Sequence, residues 1–214
     1  MNYPRILPVG EATFTVEFGD RVDIALNARV HALAAALAHA PFTGLRETVP
    51  TYRSLLVCYD PQYITEVKQG LEHALESLDE APLLAGRQVE IPVQYGGEAG
   101  PNLAQVATHC GLTPAEVVRR HSAPLYQVAM LGFAPGFAYL LGLDPTLETP
   151  RLATPRTRIA PGSVGIAGAQ TGVYALPTPG GWQVIGRTML PLFDPTRDEP
   201  CLLQAGDRVR FKAV

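Results

Sequence analysis

Residues 121–140 read HSAPLYQVAMLGFAPGFAYL, a β-like run that leads into a loop of aromatic residues, glycine and proline. From Pro124 onward almost every stretch is short and interrupted by Gly or Pro, with Val, Ile, Tyr and Phe between the turns. Turn residues at this density favour a compact barrel or sandwich over a helical layer. The second part of the chain is therefore predicted to be a β domain.

The first part of the chain contains two strand patterns and two helix patterns. Apolar and polar residues alternate over Ala12–Phe18, and Ser54–Tyr59 is a short apolar run, so both segments predict strands. Apolar residues recur at helical spacing from Leu26 to Leu37 and from Ile64 to Leu78, which predicts two helices. Together these elements predict a small α+β domain.

The segment DEAPLLAG, residues 79–86, follows neither the strand alternation nor the helical spacing of apolar residues and is the predicted linker. Beyond it, apolar residues alternate with polar ones over residues 88–94 and predict a strand. Two short helices should follow, the second opening on the capping box Thr113-Pro114-Ala115-Glu116. We therefore predict an α+β protein with an N-terminal α+β domain at residues 1–84 and a second domain at residues 85–214.

Composition and charge exclude several classes of protein. The chain has 214 residues, 47% of them hydrophobic, so it can bury a sizeable core. Its net charge of -3 gives no indication of a nucleic acid or an anionic membrane as partner. No apolar run approaches the ~20 residues that span a bilayer, and the N-terminus lacks a signal-peptide pattern, so a cytoplasmic location is expected. The cysteines and histidines show neither a disulfide framework nor metal-ligand spacing, so no metal site is predicted.

Arginines give the last third of the chain a basic character. Residues 151–214 contain eight Lys and Arg residues against four Asp and Glu residues. Strand alternation would place Arg156 and Arg158 on one face, where the pair could clamp a carboxylate or a phosphate. An equally good explanation is that these arginines are exposed on an edge strand and discourage aggregation.

The aromatic loop could form one wall of a ligand pocket. Gly132 and Gly136 permit backbone angles that are closed to other residues and Pro135 fixes one dihedral, so Phe133, Phe137 and Tyr139 could be held as a rigid surface. The alternative is a packed corner of a barrel. The single tryptophan, Trp182, could likewise stack on a planar ligand or fill the barrel interior.

The stretch Ser163–Gly172 is rich in small residues that would let a ligand approach the backbone closely. It is not a phosphate-binding P-loop, because Gly-x-x-x-x-Gly-Lys-Ser/Thr is absent, and Gly-x-Ser-x-Gly is absent too. Gln170 and Thr171 are then better interpreted as groups that orient a ligand. Among the histidines, His121 is the candidate site residue, because it lies next to the aromatic loop.

An ordered series of segments carries a resemblance to a known family. The segments are His121-Ser122 with Tyr126, Gly132-Phe133-x-Pro135-Gly136-Phe137-x-Tyr139-Leu140, Pro150-Arg151 with Thr154-Pro155-Arg156, Gly162-Ser163-Val164, Gln170-Thr171-Gly172, Pro179-Gly180-Gly181-Trp182 and Gly186-Arg187-Thr188. As a set they resemble the family of allophanate hydrolase subunit 1, KipI and the B-type subunit of 5-oxoprolinase. The resemblance extends through residues 92–101 and, more loosely, residues 10–19. One departure is Ala175, where relatives usually carry proline directly after the tyrosine.

The resemblance implies a fold, an activity and partners. The fold would be a small N-terminal α+β domain followed by a cyclophilin-like β-barrel domain. The activity would be the ATP-dependent opening of 5-oxoproline to glutamate by a complex, with ATP and Mg at a site shared with or on the partner subunits. Those partners would be a second cyclophilin-like barrel protein, the C-type subunit of 5-oxoprolinase, and an A-type subunit of the LamB/YcsF type. This chain is expected to be inactive alone.

The candidate residues follow from the motifs and the resemblance together. The candidate catalytic residues are Arg158, Gln170 and His121. The candidate substrate-binding residues are Phe133, Pro135, Phe137, Tyr139, Arg156, Ser163, Thr171, Trp182 and Arg187. The arginines would stabilise charge on a phosphoryl group or bind the substrate carboxylate.

Two other functions remain open at this point. A KipI-like chain would inhibit a sensor histidine kinase by docking its barrel on the kinase. Relatives in urea-degrading enzymes would instead make this chain half of a carboxyltransferase site that meets biotin. The sequence itself contains no biotin-attachment or amidase segment.

Overall fold

The computed structural model describes residues 3–78 and 86–214. The chain divides into two compact units, one up to residue 85 and the other from residue 86 onward. Apart from Gly86, the predicted linker lies outside the described residues. The two units are therefore described separately.

The first unit is a four-stranded antiparallel sheet packed against two helices. In chain order its elements are β1 (Arg5–Pro8), β2 (Thr13–Glu17), α1 (Ile24–His39), β3 (Leu45–Pro50), β4 (Ser54–Tyr59) and α2 (Ile64–Glu76). The strands lie in the order β1-β2-β4-β3. The predicted strands β2 and β4 and the predicted helices α1 and α2 are confirmed, whereas β1 and β3 were not predicted.

Local chemistry explains where these elements begin and what they bury. The Asp23 carboxylate caps α1 by accepting hydrogen bonds from the backbone N–H groups of Ala25 and Leu26. Alternation along β2 buries Phe14 and Val16 beneath the helices. The core of this unit is formed by one face of the sheet and the apolar stripes of α1 and α2.

The second unit is a closed seven-stranded β-barrel with two helices and a two-stranded sheet. Its elements are β5 (Gln88–Tyr95), α3 (Leu103–Cys110), α4 (Pro114–Ser122), β6 (Tyr126–Leu131), β7 (Ala138–Leu141), β8 (Arg156–Ile159), β9 (Ser163–Ala167), β10 (Gln170–Val173), β11 (Thr178–Gly180), β12 (Gln183–Arg187) and β13 (Arg208–Ala213). The barrel order is β10-β7-β6-β13-β5-β12-β9, and β8 pairs with β11 outside it. The predicted α+β class with a β-barrel is confirmed.

The barrel is filled by side chains and is not a channel. Alternate residues of each strand point inward, among them Ile91 and Val93 of β5 and Val164 and Ile166 of β9. The predicted cap of α4 is present, because the Thr113 hydroxyl accepts a hydrogen bond from the N–H of Glu116. Closure pairs each of the seven barrel strands on both sides, which is how this architecture avoids edge-to-edge association.

Two further features concern membranes and metals. No helix in residues 3–78 or 86–214 is long and apolar enough to cross a membrane. The same residues contain no cluster of His, Cys, Asp and Glu that could hold a metal ion. The cysteines Cys58, Cys110 and Cys201 are free thiols.

A chain of polar side chains crosses the barrel interior. The Tyr95 hydroxyl lies 2.7 Å from His121 Nδ1, and His121 Nε2 lies 2.9 Å from Thr171 Oγ1. Thr171 donates its one hydroxyl proton to the carbonyl of Gly165 at 2.9 Å, so it must accept from His121. The imidazole is therefore the neutral Nε2–H tautomer, with Tyr95 donating to Nδ1.

Burial keeps this imidazole neutral. His121 is completely buried, and its ring stacks on Phe211 at 4.8 Å between centroids. Removal from water lowers its pKa to about 3. The Tyr126 hydroxyl donates to the His121 carbonyl at 2.7 Å, which fixes the end of α4 against the barrel.

Acidification should destabilise the barrel through His121. In the unfolded chain the pKa of the imidazole is about 6.5, and in the barrel it is about 3, so the unfolded state binds the extra proton between these values. The free energy of unfolding should be highest above pH ~6.5 and fall below it, by up to about 1.4 kcal/mol per pH unit from this residue. Urea unfolding followed by the fluorescence of Trp182 measures this slope for the barrel unit.

The His121→Gln variant is the matched control. Its amide can still form hydrogen bonds but does not titrate, and the remaining acidic groups titrate alike in both proteins. The pH slope of the variant should therefore be shallower than that of the unsubstituted protein. Equal slopes would show that the ring is not held neutral by burial.

Candidate functional site

The outer wall of the barrel carries a cluster of aromatic side chains. Leu140 and Thr171 point into the barrel, so their neighbours on β7 and β10 point outward. The aromatic face, as we name this surface, consists of Phe133, Phe137, Tyr139, Tyr174 and Trp182. It lies over β7, β10, β9 and β12, separate from the core inside the barrel.

Phe137 is the centre of the aromatic face. Its ring centroid lies 4.8 Å from that of Tyr139, 4.9 Å from that of Tyr174 and 5.6 Å from that of Trp182, all edge to face. Each such pair contributes about 0.5–1.5 kcal/mol beyond area burial. Phe137 and Trp182 are almost fully buried by these contacts, so they form a stiff floor.

Two glycines allow these rings to lie directly on the barrel wall. Gly165 and Gly172 are paired across β9 and β10. A Cβ on Gly172 would stand 3.1 Å from both the Phe137 and Trp182 rings and 2.8 Å from the Ala138 carbonyl oxygen. These small residues were expected to let a ligand approach the backbone, but the space above them is occupied by aromatic side chains.

Phe133 forms the open margin of the aromatic face. Its side chain is 61% exposed, although its ring touches that of Phe137 at a centroid distance of 5.5 Å. Its backbone φ of 67° is in the left-handed region, which costs a non-glycine residue roughly 1–2 kcal/mol. The neighbouring Pro135 is also exposed. Strained, exposed aromatic residues are common at binding sites.

Two arginines stand beside the aromatic face. The Arg151 guanidinium lies 5.9 Å from the centroid of the Trp182 ring. Arg156 Nη2 donates to Asn102 Oδ1 at 2.8 Å. Burial raises the pKa of Tyr174 to about 12, and the positive charges of both arginines partly oppose that rise. Within residues 3–78 and 86–214 neither arginine forms an ion pair with a carboxylate.

Arg158 and Gln170 differ from these residues in their surroundings. Arg158 follows Arg156 at the expected two-residue spacing on β8, but its side chain is exposed whereas Arg156 is half-buried. The two arginines therefore differ in how far each is exposed to solvent. Gln170 is half-buried on the outer side of β10, where it pairs with Ala167 at one end of the aromatic face.

The remaining candidate residues are elsewhere in the barrel unit. His121 and Thr171 lie inside the barrel, where both ring nitrogens of His121 are engaged. Ser163 is buried at the start of β9. Arg187 donates from Nε to the Pro161 carbonyl at 2.9 Å and lines a different cavity. That cavity has a volume of about 510 Å³ and is also lined by Pro92, Gln94, Glu98, Ala99, Met189 and Val214.

The structure thus brings together one part of the predicted site. Phe133, Phe137, Tyr139, Trp182 and Arg156 share the aromatic face and its edge. His121 is near the aromatic loop in sequence, but α4 directs its ring into the barrel and away from solvent.

Sequence reasoning missed three residues of this region. Arg151 and Tyr174 are in segments that the motifs included, but nothing local distinguished them from their neighbours. Asn102 gave no local signal, because its contacts with Arg156 and Val184 join residues that are 54 and 82 positions away.

Comparison with known proteins gives the family. A family model described as "Carboxyltransferase domain, subdomain C and D" matches residues 4–203. The chain is 45% identical to the B-type subunit of 5-oxoprolinase from Bacillus subtilis, over 98% of this chain and 92% of that protein. It is 45% identical to the B-type subunit of 5-oxoprolinase from Escherichia coli O157:H7, over 99% of this chain and 96% of that protein.

A solved structure shares the fold of this chain. The crystal structure of TTHA0988 superposes with a TM-score of 0.82 at 41% sequence identity. The match covers 95% of this chain but 40% of TTHA0988, so the present chain spans less than half of that longer protein. The sequence match over residues 4–203 and the near full-length relatives agree, and the chain belongs to the family of the carboxyltransferase domain, subdomain C and D.

Proposed function

We propose that this chain is the B-type subunit of an ATP-dependent 5-oxoprolinase, which opens 5-oxo-L-proline to L-glutamate together with partner subunits. The near full-length relatives, both named as B-type subunits of 5-oxoprolinase, support the activity. The observation that carries the site is the aromatic face with Arg151 and Arg156 beside it. An apolar surface next to uncompensated positive charge suits a small ring that bears a carboxylate.

The reaction needs activation because a lactam is a poor electrophile. In the proposed sequence the amide oxygen takes the γ-phosphoryl group of ATP, and ADP leaves. Water then adds to the activated carbon, and the C–N bond breaks as nitrogen takes a proton. A second water releases phosphate from the resulting acyl phosphate and leaves glutamate. Negative charge builds on oxygen at each step, so fixed positive groups lower the barriers.

Arg158 and Gln170 are the groups of this chain that we assign to the reacting amide. Arg158 is exposed and so can reach a phosphoryl group presented from outside the barrel. Gln170 has a donor and an acceptor at one end of the aromatic face and can orient the lactam. His121 acts indirectly in this proposal, since its neutral ring holds Thr171 and thereby β10.

The remaining components are assigned to the partners. The sequence lacks the P-loop pattern, so we place ATP with its Mg²⁺ at a site shared with or on the partner subunits. The proposed partners are a second cyclophilin-like barrel protein, the C-type subunit of 5-oxoprolinase, and an A-type subunit of the LamB/YcsF type. The exposed Phe133 side chain is one apolar contact that such a barrel could cover.

Activity should require this chain and its partners together. Glutamate release from 5-oxo-L-proline with ATP is measured for the full set of subunits, for the set without this chain, and for this chain alone. We expect activity in the full set and none above background in the other two. A full set that assembles but is inactive, together with binding of the chain to a sensor kinase, would favour the inhibitor function instead.

Replacing Arg158 should slow the chemical steps. Because Arg158→Ala removes positive charge near the proposed phosphoryl group, we expect kcat of the complex to fall at least about tenfold. Stability should change little, since the side chain is exposed. Steady-state kinetics and thermal unfolding of the variant complex measure the two effects.

Arg208→Ala is the matched control for this substitution. Arg208 is likewise an exposed arginine on a β-strand, but it is on the barrel strand β13, on the other side of the barrel from β9 and β10, whereas Arg158 is on β8 outside the barrel. Its replacement should leave kcat within about twofold. Equal losses in both variants would mean that net charge or assembly, and not the position of Arg158, determines the rate.

A further inference from the structure

Asn102 fixes the position of Arg156. Its Oδ1 accepts hydrogen bonds from Arg156 Nη2 at 2.8 Å and from the backbone N–H of Val184 at 2.9 Å. Its amide nitrogen donates to Gln105 Oε1 at 3.0 Å, and the residue is 5% exposed. Asn102 is therefore anchored to β12 and α3, and it holds the guanidinium in one orientation.

The other terminal nitrogen of Arg156, Nη1, lacks a hydrogen-bond acceptor among the described residues. Nη1 is buried and has no hydrogen-bond partner in the described part of the chain. A buried N–H group of a charged guanidinium is unfavourable unless an acceptor meets it. The geometry supplies the donor and its support but not the acceptor, which indicates that an acceptor comes from outside the chain.

The surroundings of Arg156 indicate the chemistry of that acceptor. Arg156 pairs with Gly180 across β8 and β11, and Gly180 lies directly against the Tyr174 hydroxyl. The guanidinium of Arg156, with its unpaired Nη1, is thus beside the aromatic face, and the Arg151 guanidinium lies near the Trp182 ring. Two cations with no carboxylate partner in the described residues favour an anion. The adjoining rings favour an anion attached to an apolar ring.

We propose that Arg156, oriented by Asn102, binds the carboxylate of 5-oxo-L-proline through Nη1 while the ring of the substrate rests at the edge of the aromatic face. Arg156 is then a substrate-binding residue and Asn102 a positioning residue. The identity of the substrate rests on the proposed function. The carboxylate chemistry rests on the contacts of Asn102 and Arg156.

Fluorescence of the full chain provides a direct test. Trp182 is the single tryptophan, so its emission reports on the aromatic face. Titration with 5-oxo-L-proline should give a saturable change. Pyrrolidin-2-one has the same ring without the carboxylate and should require at least about a tenfold higher concentration. Equal apparent affinities for the two compounds would overturn the proposal.

Asn102→Asp separates positioning from structural support. It keeps the acceptor for Arg156 and for the Val184 N–H, but its carboxylate pairs with the guanidinium and competes with the ligand. We expect folding as judged by thermal unfolding to be retained and the affinity for 5-oxo-L-proline to fall about tenfold or more. If Asn102 served the fold alone, Asn102→Asp would bind as well as the unsubstituted chain, and the proposal would fail.

Kinetics of the full complex cover the case in which the isolated chain binds too weakly to detect. Arg156→Lys keeps the charge but loses the planar fork, so KM for 5-oxo-L-proline should rise about tenfold or more with a smaller change in kcat. The same split is expected for Asn102→Asp. Unchanged KM in both variants, with no fluorescence response of the chain, would reject the role of Arg156.

The two proposals fail in different ways. An active complex with unchanged KM in the variants would leave the proposed function standing and remove this assignment. An inactive complex would reject the proposed function, and a carboxylate-dependent fluorescence change sensitive to Asn102→Asp would still support Arg156 as a carboxylate receptor.

Discussion

The pairing of β9 with β10 is the constraint on which the barrel unit depends. On the inner side of this pair Thr171 donates to the Gly165 carbonyl and accepts from His121. On the outer side, Gly172 and Gly165 have no side chains, so the Phe137 and Trp182 rings can pack directly on the strands. A slip of one residue would exchange the two faces, placing a hydroxyl beneath the rings and a glycine opposite the imidazole. Core and candidate site are thus fixed by one register.

This register also explains why the neutral His121 lies inside the barrel while the positively charged arginines lie outside it, beside the aromatic face. The imidazole is inside the barrel and uses both nitrogens within the unit, so it adds no charge to the wall. The charge beside the aromatic face comes from Arg151 and Arg156 on the outside. A buried guanidinium nitrogen with no acceptor costs on the order of 1–3 kcal/mol. In our proposal, the carboxylate of the bound substrate supplies the acceptor that this nitrogen lacks.

Regular sequence periods made much of the secondary structure predictable. Features that depend on contacts between residues distant in sequence could not be predicted. Alternation identified β2 and β5, the helical period identified α1 and α2, and Thr113 marked the start of α4. β3 was missed because it is a largely polar edge strand that ends in a proline, which gives neither period. His121 shows the limit for sites: closeness in sequence to the aromatic loop does not determine which face of the barrel a side chain occupies.

Arg187 and Arg156 lie in different surroundings, and this difference bears on which arginine of the proposed site faces the phosphoryl group. Arg187 lines its own cavity with Glu98, and a carboxylate beside it would oppose a phosphoryl group. Arg158, exposed on the same strand as Arg156, has no such neighbour in the contacts of the described residues. In our proposal, a substrate held by Arg156 presents its amide to the exposed side chain of Arg158. In the proposed complex, the phosphoryl donor must then approach from a partner subunit, across the margin that Phe133 leaves open.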